Sequence, residues 1–248
     1  ATRCPVSRSV RSPHGQDGAV MSLVVRELGL VPYRSTLEAM QQFTRSRAAD
    51  TPDEIWLLQH PAVYTVGQAG RAEHLPRNDQ TGVRHIPIEQ IDRGGQITYH
   101  GPGQLVVYTL LDLRRLGMGI REVVSQLEQA VINLLTSYAL QAERKSGAPG
   151  VYVDGAKIAA LGLRVRNGCC YHGLSLNIDM DLSPYLAIDP CGYRGMPVTQ
   201  LRSLGVLRSV SEAGSALLPH LQECLGLRHA PTAHSDHLGS THPQEITA

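Results

Sequence analysis

The sequence has no hydrophobic run long enough to cross a lipid bilayer. A membrane-spanning helix requires about 18 or more consecutive apolar residues, and no such stretch occurs in the 248 residues. The chain also lacks an excess of charge of either sign, because 23 lysines and arginines balance 22 aspartates and glutamates. Without a strong overall field it has no general attraction to nucleic acid or to a membrane surface, so we predict neither as a partner.

Cysteine is scarce and forms no disulfide or metal-binding pattern. The five cysteines are an odd number, and no two have CxxC spacing. No secretory signal peptide is recognisable, so we expect a cytoplasmic protein with free thiols. Four histidines near the C-terminus match no standard metal site, and we predict no metal and no cofactor. They are His229, His234, His237 and His242.

Composition divides the chain into one domain and two extensions. Residues 1–20 are rich in arginine and serine and lack helical apolar spacing, which indicates a disordered extension, although a transit-type peptide has a similar composition. Residues 228–248 are rich in histidine, proline, serine and threonine, which also indicates disorder. We therefore predict a single catalytic domain over 21–227.

The hydrophobic patterns predict more strands than helices. Strands are expected at 22–28, 54–59, 60–67, 85–88 and 105–113, followed by a hairpin and a further strand between 150 and 179. Helices are expected after Pro32 and over 119–141, 196–203 and 211–225. An Asp-Gly turn at 154–155 is typical of a hairpin. Since no regular βαβ alternation occurs, we predict an α+β fold with a mixed, largely antiparallel sheet and flanking helices.

The stretch from Arg93 to Gln104 combines four glycines with arginine, tyrosine and histidine. Glycines let the backbone approach a ligand closely, and the polar side chains beside them favour a binding site. The stretch is not a phosphate-binding loop of the GxxxxGK[ST] type. A glycine-rich turn at a sheet edge would have a similar composition, so both interpretations stay open.

Two further residues are candidates for chemistry. Lys157 precedes an apolar strand, where desolvation would depress the pKa of its amine, although an exposed lysine at a strand edge is the more common case. Cys191 lies between Pro190 and Gly192, a turn that would leave its thiol accessible. A nearby lysine cation would lower the pKa of that thiol, whereas a purely structural cysteine is the alternative.

The segment YHGLSLNID carries alternating polar residues. His172, Ser175 and Asn177 are expected on the face opposite Leu174 and Leu176, where they would line a pocket or lie on a partly exposed sheet face. The remaining cysteines are weaker candidates than Cys191. They are the adjacent pair Cys169 and Cys170, Cys224 on an apolar helix face, and Cys4 in the N-terminal extension.

Four segments together resemble a known family. RGGQITYHGPGQLVVY, GAKIAALGLRV, YHGLSLNID and PCGYRGMPVTQL occur in this order and are similar to the lipoyl(octanoyl) transferases of lipoate biosynthesis. The segment HPAVYTVGQAG fits the same pattern. The resemblance extends from about Met21 to about Gly226, so it covers the whole predicted domain.

The resemblance implies a fold, a reaction and a site. The fold would be that of the biotin and lipoate protein ligases. The enzyme would take octanoyl from octanoyl-acyl carrier protein onto Cys191, with Lys157 lowering the pKa of the thiol. It would then pass the acyl group to a lysine ε-amine on the lipoyl domains of 2-oxoacid dehydrogenases and on the glycine cleavage H protein. The implied substrate-binding residues are Arg93, Gly94, Gly95, Gln96, Ile97, Thr98, Tyr99, His100, Ala160, Leu161, Gly162, Gly173, Leu174 and Ser175.

Two other functions are compatible with the same fold. An ATP-dependent lipoate or biotin ligase would activate a carboxylate and would not need a reactive cysteine. An inactive module that only binds acyl carrier protein would need neither Lys157 nor Cys191, so the presence of both residues argues against it.

Overall fold

The fold is α+β, as predicted. The computed structural model describes residues 23–71, 74–76, 86–188 and 196–227, so Cys191 and the two predicted extensions lie outside the described residues. The strands are β1 (Val24–Leu30), β2 (Glu54–Gln59), β3 (Val63–Val66), β4 (Ile88–Gln90), β5 (Ile97–His100), β6 (Gln104–Asp112), β7 (Val151–Val153), β8 (Ala156–Arg166) and β9 (Cys169–Asn177). The helices are α1 (Tyr33–Ser46), α2 (Leu113–Leu116), α3 (Ile120–Ser137) and α4 (Val210–Leu225).

The strands form one large and one small sheet. The six-stranded sheet has the order β1-β2-β6-β9-β8-β7, and the three-stranded sheet has the order β4-β3-β5. In each sheet one pair is parallel, β1 with β2 and β3 with β4, and the other neighbours are antiparallel. The predicted mixed, largely antiparallel sheet is therefore confirmed.

Helices cover both faces of the large sheet. The apolar stripe of α3 packs with α4 on one face, where Val123, Leu127, Val131 and Leu134 are buried. On the other face α1 contributes Met40 to a second cluster. Because both faces are covered, every residue of the central strands β6 and β9 is buried, which explains the nearly continuous apolar character of β6. Among the described residues, no helix has the length and apolarity needed to span a membrane.

Two tight hairpins join β7, β8 and β9. In the predicted Asp-Gly turn, Asp154 has φ 48° and Gly155 has φ 79°. Positive φ at both central residues is the signature of a type I′ turn, whose twist matches that of the flanking strands. Asn167 and Gly168, with φ 51° and 77°, repeat this geometry between β8 and β9. The Asn-Gly pair is the same kind of signal, which the sequence analysis did not single out.

Three local predictions differ from the structure. The helix predicted over 196–203 is wrong, because Val198 forms a β-bridge with Lys157 and only Arg202–Leu204 adopts a 3-10 turn. Proline disfavours the helical conformation in the residue that precedes it, and Met196 precedes Pro197. The short strand predicted at 85–88 is found instead as β4, and His85 lies outside the described residues. The glycine-rich stretch contains a strand, β5, that was not predicted.

Candidate active site

A pocket lies between the large and the small sheet. Its empty volume, including the part open to solvent, is about 760 Å³. Residues from all three predicted substrate-binding stretches line it together with Lys157: Arg93, Gly95, Gln96, Ile97, Thr98, His100, Ala160, Leu161, Gly162, Gly173, Leu174 and Ser175. The large sheet brings these stretches together because Ala160 pairs with Ser175, and Gly162 with Gly173, across β8 and β9.

Two predicted residues are not part of the pocket lining. Gly94 donates its backbone N–H to the carbonyl of Leu163 at 2.9 Å, which ties the glycine-rich stretch to β8. Tyr99 is buried beneath the pocket, with its ring 5.6 Å from that of Tyr185. Cys191 lies outside the described residues. Gly94 and Tyr99 are therefore placed to support the lining of the pocket rather than to form it.

Arg93 is a buried cation in the pocket lining. Its guanidinium donates to the carbonyl and hydroxyl oxygens of Thr65 at 2.7 and 2.9 Å, and to the carbonyl of Gly94 at 2.9 Å. The side chain crosses directly over Gly162, where a Cβ atom would lie 2.9 Å from Arg93 Cδ. Only glycine leaves room for this crossing, so the glycine in β8 serves the placement of the arginine.

A chain of hydrogen bonds joins His60 to two tyrosines of the pocket wall. His60 Nδ1 lies 2.7 Å from the carbonyl of Val31, which can only accept, so Nδ1 carries the proton. Burial lowers the pKa of His60 to about 4, and the ring is therefore neutral near pH 7. Its Nε2 then accepts a hydrogen bond from the Tyr108 hydroxyl at 2.7 Å. Tyr108 also shares a hydrogen bond with Tyr33, and burial raises the pKa of both phenols.

A second network sets the tautomer of His100. Gln104 Nε2 lies 3.3 Å from the carbonyl of Tyr99 and 2.9 Å from Asn177 Oδ1, and the Asn177 amide is itself oriented by donating to the carbonyl of Thr199 at 2.9 Å. The amide oxygen of Gln104 therefore faces His100 Nδ1 at 2.7 Å, so Nδ1 donates and Nε2 is the unprotonated nitrogen.

The electrostatic surroundings keep His100 neutral. Burial lowers the pKa of His100 to about 3, and the nearby His60 and the cationic Arg93 lower it in the same direction, against the hydrogen bond to Gln104. A histidine with such a pKa is a poor base near pH 7. It is suited instead to accept a hydrogen bond at its Nε2 atom from a group in the pocket.

Asp92 joins two consecutive residues of β9. It accepts hydrogen bonds from the Tyr171 hydroxyl and from His172 Nε2, the latter at 3.0 Å. Consecutive strand residues normally point to opposite faces. His172 has φ 63°, however, and this left-handed conformation brings its ring to the face occupied by Tyr171, where the two rings stack 5.0 Å apart. A regular strand would place His172 on the same face as Leu174 and Leu176. The left-handed backbone at His172 instead turns its ring to the face of Tyr171, which a strand shares with Ser175 and Asn177.

Lys157 is a buried residue of the pocket lining rather than an exposed lysine at a strand edge. Only 4% of the residue is accessible. Its Nζ donates to the carbonyl of Pro149 at 3.1 Å and lies 5.3 Å from the centre of the Tyr152 ring. Its backbone N–H donates to the carbonyl of Pro197 at 2.8 Å, and its carbonyl accepts from Thr199 N at 2.9 Å. The segment that follows Cys191 in the chain is thereby attached to Lys157.

Several residues of the pocket were missed by the sequence analysis. They are Tyr33, Val106, Tyr108, Ile158, Ala159, Tyr185 and Val198, together with His60 and Asp92 behind the pocket wall. A hydroxyl within an apolar strand, such as Tyr108 in LVVYTLLD, is a signal that could have indicated some of them. Within the described ranges, no group of three or more His, Cys, Asp or Glu residues could hold a metal ion.

Comparison with known families places the chain among proteins of related sequence. Residues 32–222 match the model of the lipoyl protein ligase A/B catalytic domain. A protein of Azoarcus sp. (strain BH72) named octanoyltransferase is 59% identical over 219 residues, 88% of this chain and 95% of the relative. An octanoyltransferase of Thiobacillus denitrificans is 61% identical over 204 residues, 82% of this chain and 91% of the relative.

Solved structures with the same fold are more distant in sequence. A lipoate-protein ligase A crystallised with ATP matches 84% of this chain and 87% of its own, with a TM-score of 0.68 and 19% identity. A bi-partite lipoate protein ligase of Thermoplasma acidophilum matches 87% of this chain and 88% of its own, with a TM-score of 0.69 and 18% identity. These likenesses confirm the predicted lipoate-ligase-like fold.

Proposed function

Because this chain belongs to the lipoyl(octanoyl) transferase family and is an acyltransferase, we propose that it transfers octanoyl from octanoyl-acyl carrier protein to lipoyl domains. The acyl group is carried on Cys191 as a thioester and passes from there to the ε-amine of a lysine on the acceptor. The acceptors are the lipoyl domains of 2-oxoacid dehydrogenases and the glycine cleavage H protein.

One observation carries the proposal. Three separate stretches of the chain line a single pocket, and Lys157 is part of the same lining. Part of the pocket lining is apolar, with Val106, Ile158 and Leu161 among its residues. Each methylene of an acyl chain buried there would contribute about 0.8 kcal/mol to binding. This combination of an apolar slot and a buried amine suits a fatty acyl thioester.

The contacts of Lys157 support its pairing with Cys191. Its backbone is bonded on both sides to Pro197 and Thr199, which follow Cys191 closely in the chain. An ammonium near the thiol favours the thiolate, and each unit by which the thiol pKa falls corresponds to about 1.4 kcal/mol. Near pH 7 a lower thiol pKa means a larger fraction of the nucleophile.

The first half-reaction forms the acyl-enzyme. The Cys191 thiolate attacks the thioester carbonyl of the donor, and a new carbon–sulfur bond forms as the carbonyl electrons move to oxygen. The tetrahedral intermediate collapses by expelling the thiolate of the carrier, which takes up a proton. One thioester replaces another, so the step requires no ATP.

The second half-reaction transfers the acyl group to nitrogen. A neutral lysine amine of the acceptor domain attacks the Cys191 thioester, loses a proton, and forms an amide as the Cys191 thiolate leaves. The neutral His100, whose Nε2 is unprotonated, is part of the pocket lining and is able to accept a hydrogen bond from a donor bound there. The amide is more stable than the thioester, which drives the transfer.

Intact mass spectrometry tests the covalent intermediate. The protein is incubated with octanoyl-acyl carrier protein alone, without ATP or acceptor. We expect one added octanoyl group, which is lost on addition of a lipoyl domain. Cys191→Ser should abolish the adduct, and Cys224→Ser, which removes another free and partly buried thiol, should leave it intact. Acylation of the Cys191→Ser protein, or a strict requirement for ATP, would refute the mechanism and favour the ligase alternative.

The role of Lys157 is tested on the free protein. Alkylation of Cys191 by iodoacetamide is followed against pH, with the modified peptide identified by mass. Lys157→Ala should raise the pKa of the thiol and move the midpoint of the profile to higher pH, because the nearby cation is lost. An unchanged profile would remove Lys157 from the activation of the thiol.

A further inference from the structure

The side chain of Lys157 rests on one particular peptide unit. Its Nζ donates to the carbonyl of Pro149 at 3.1 Å. The other end of the same peptide unit is the N–H of Gly150, which donates to Glu128 Oε1 at 2.9 Å in a buried hydrogen bond. The carboxylate of Glu128 and the amine of Lys157 thus bind opposite ends of a single peptide bond.

Glu128 is held in place from its second oxygen. It lies on α3 and is buried, and its Oε2 accepts from Arg144 Nε at 3.1 Å. A buried carboxylate requires such partners, since an unpaired one would be costly to desolvate. Both oxygens are therefore engaged in directed contacts, and the position of Oε1 against Gly150 is well defined.

Tyr152 completes the support of the loop that carries this peptide. Its hydroxyl donates to the carbonyl of Ala148 at 2.9 Å, one residue before Pro149. Its fully buried ring lies beneath the Lys157 amine, 5.3 Å from Nζ, a distance at which cation–π attraction operates. The loop 148–150 is consequently bonded at successive residues, and the lysine packs on both the loop and the ring.

The backbone at Gly150 is adapted to the lysine. Gly150 has φ 143°, which side-chain-bearing residues rarely adopt, and a Cβ atom there would lie 2.9 Å from Lys157 Cε. The absent side chain leaves the space that the lysine occupies. The loop, the glycine and the carboxylate together define one position for the amine.

We propose that Glu128 is a positioning residue for Lys157 and acts on it through the peptide unit between Pro149 and Gly150. This inference rests on the proposed function, in which Lys157 activates Cys191. A carboxylate that accepts from a peptide N–H polarises that peptide and strengthens its carbonyl as an acceptor. The strengthened carbonyl binds an ammonium more tightly than a neutral amine. Lys157 therefore acts as a cation toward the Cys191 thiol, and not as the base that removes its proton.

Other charged groups lie at the same corner of the fold. Lys145 Nζ contacts the Tyr152 ring at 4.5 Å and donates to the carbonyl of Gly155 at 2.9 Å. Arg144 contacts Glu128 and also the carbonyl of Ser125. Lys145 and Arg144 are both cations, so of these three charged side chains only Glu128 carries the charge opposite to that of a lysine ammonium.

The test compares variants of Glu128 in the pH profile of Cys191 alkylation by iodoacetamide. Glu128→Ala should raise the midpoint by about one pH unit, a tenfold smaller thiolate fraction near neutral pH, because the lysine loses its fixed position. Glu128→Gln keeps an acceptor for Gly150 N–H and should shift the midpoint by less. Glu122→Ala, an exposed glutamate on the same helix, should leave the profile unchanged.

The outcomes separate this inference from the proposed function. If Lys157→Ala shifts the profile but the folded Glu128→Ala protein does not, the positioning role is refuted and the function stands. If Lys157→Ala does not shift it, the proposed activation of Cys191 itself fails. Should Glu128→Ala not fold, Glu128→Asp decides, because its shorter side chain keeps the charge but cannot reach Gly150 N. An unshifted Glu128→Asp profile would overturn the inference.

Discussion

Nε2 of His172 lies 3.0 Å from Oδ1 of Asp92. In a regular strand the imidazole would point to the opposite face of the sheet. The left-handed backbone at His172 creates this contact, and the Tyr171 hydroxyl reaches the same carboxylate. Burial alone would raise the pKa of Asp92, but the hydrogen bonds from His172 and Tyr171 outweigh it and lower the pKa to about 2. The carboxylate therefore holds one end of β9 in its unusual conformation.

Asp92→Asn should destabilise the protein at neutral pH. The variant weakens two hydrogen bonds to buried donors, which typically costs about 1–3 kcal/mol. Asp92 has a lower pKa in the folded than in the unfolded state, so its stabilising contribution is present above about pH 4 and is lost as the pH falls toward 2. Urea unfolding of wild type and variant should therefore show a difference that shrinks over this range.

The matched control for Asp92→Asn is Asp50→Asn, since Asp50 is exposed. It should leave the unfolding free energy within about 0.5 kcal/mol of wild type. A difference between Asp92→Asn and wild type that stayed constant down to pH 2 would contradict the assignment of the carboxylate.

His60 should make the protein sensitive to mild acid. Its pKa falls from 6.5 to about 4 on folding, so the folded state binds fewer protons than the unfolded state between these values. Stability is then fully present above about pH 6.5 and decreases as the pH falls toward 4, by about 3 kcal/mol from this group. His60→Gln should remove this part of the pH dependence in chemical unfolding experiments.

His220→Gln is the control for the histidine experiment, because His220 lies on α4 and is only partly buried. The slope of stability against pH should be the same in this variant as in wild type. If His60→Gln also retained the wild-type slope between pH 6.5 and 4, the proposed neutral state of His60 would be wrong.

Gln104→Glu should convert His100 from a neutral to a titrating residue. A carboxylate opposite Nδ1 favours the imidazolium, so the pKa of His100 should rise from about 3 toward the neutral range. The variant also loses the donor contacts to Tyr99 and Asn177, at a cost of about 1–3 kcal/mol. NMR titration of the His100 ring measures the first effect. A ring that stays neutral down to pH 4 in the variant would contradict the described network.

Gly162→Ala should disturb both the fold and the pocket. The added methyl would lie 2.9 Å from Arg93 Cδ and 3.1 Å from the carbonyl of Gly94, so the buried arginine must move. Such overpacking typically costs about 1–3 kcal/mol. We expect a lower thermal midpoint and slower acylation by octanoyl-acyl carrier protein.

Gly119→Ala provides the comparison, because Gly119 has φ −79° and no atom lies within 4 Å of the added methyl. This variant should acylate at the wild-type rate. Equal acylation rates for Gly162→Ala and wild type would show that the crossing of Arg93 over β8 does not matter for binding.

Local patterns in the sequence were sufficient for most of the fold. Strand β2 has the predicted bounds, and the amphipathic pattern over 119–141 predicted α3. The prediction of α3 succeeds because its apolar side chains recur with the period of a helix, and that of β2 because a short apolar run is typical of a strand buried on both faces. The Asp-Gly turn was equally readable, since few residues tolerate the positive φ that it requires.

The composition of the site was partly readable for a different reason. Segments such as RGGQITYHGPGQ combine glycines with polar side chains in a way that suits ligand binding, and their resemblance to a family indicated which residues to consider. Neither signal indicates which distant segments meet. The meeting of Arg93 with Gly162, or of the sequence-distant Glu128 with Gly150, depends on the order of the strands and on the packing of α3.

The sequence by itself determined most of the strands and the main helices, because local periodicity and turn chemistry specify them, and its resemblance to a family indicated the stretches that line the pocket. Only the tertiary structure decided that Lys157 is buried on the Pro149–Gly150 peptide, that His60 supports Tyr108, and that His172 turns toward Asp92. Each of these contacts joins residues through buried hydrogen bonds whose partners are set by long-range packing and, at His172, by a backbone conformation that breaks the local period.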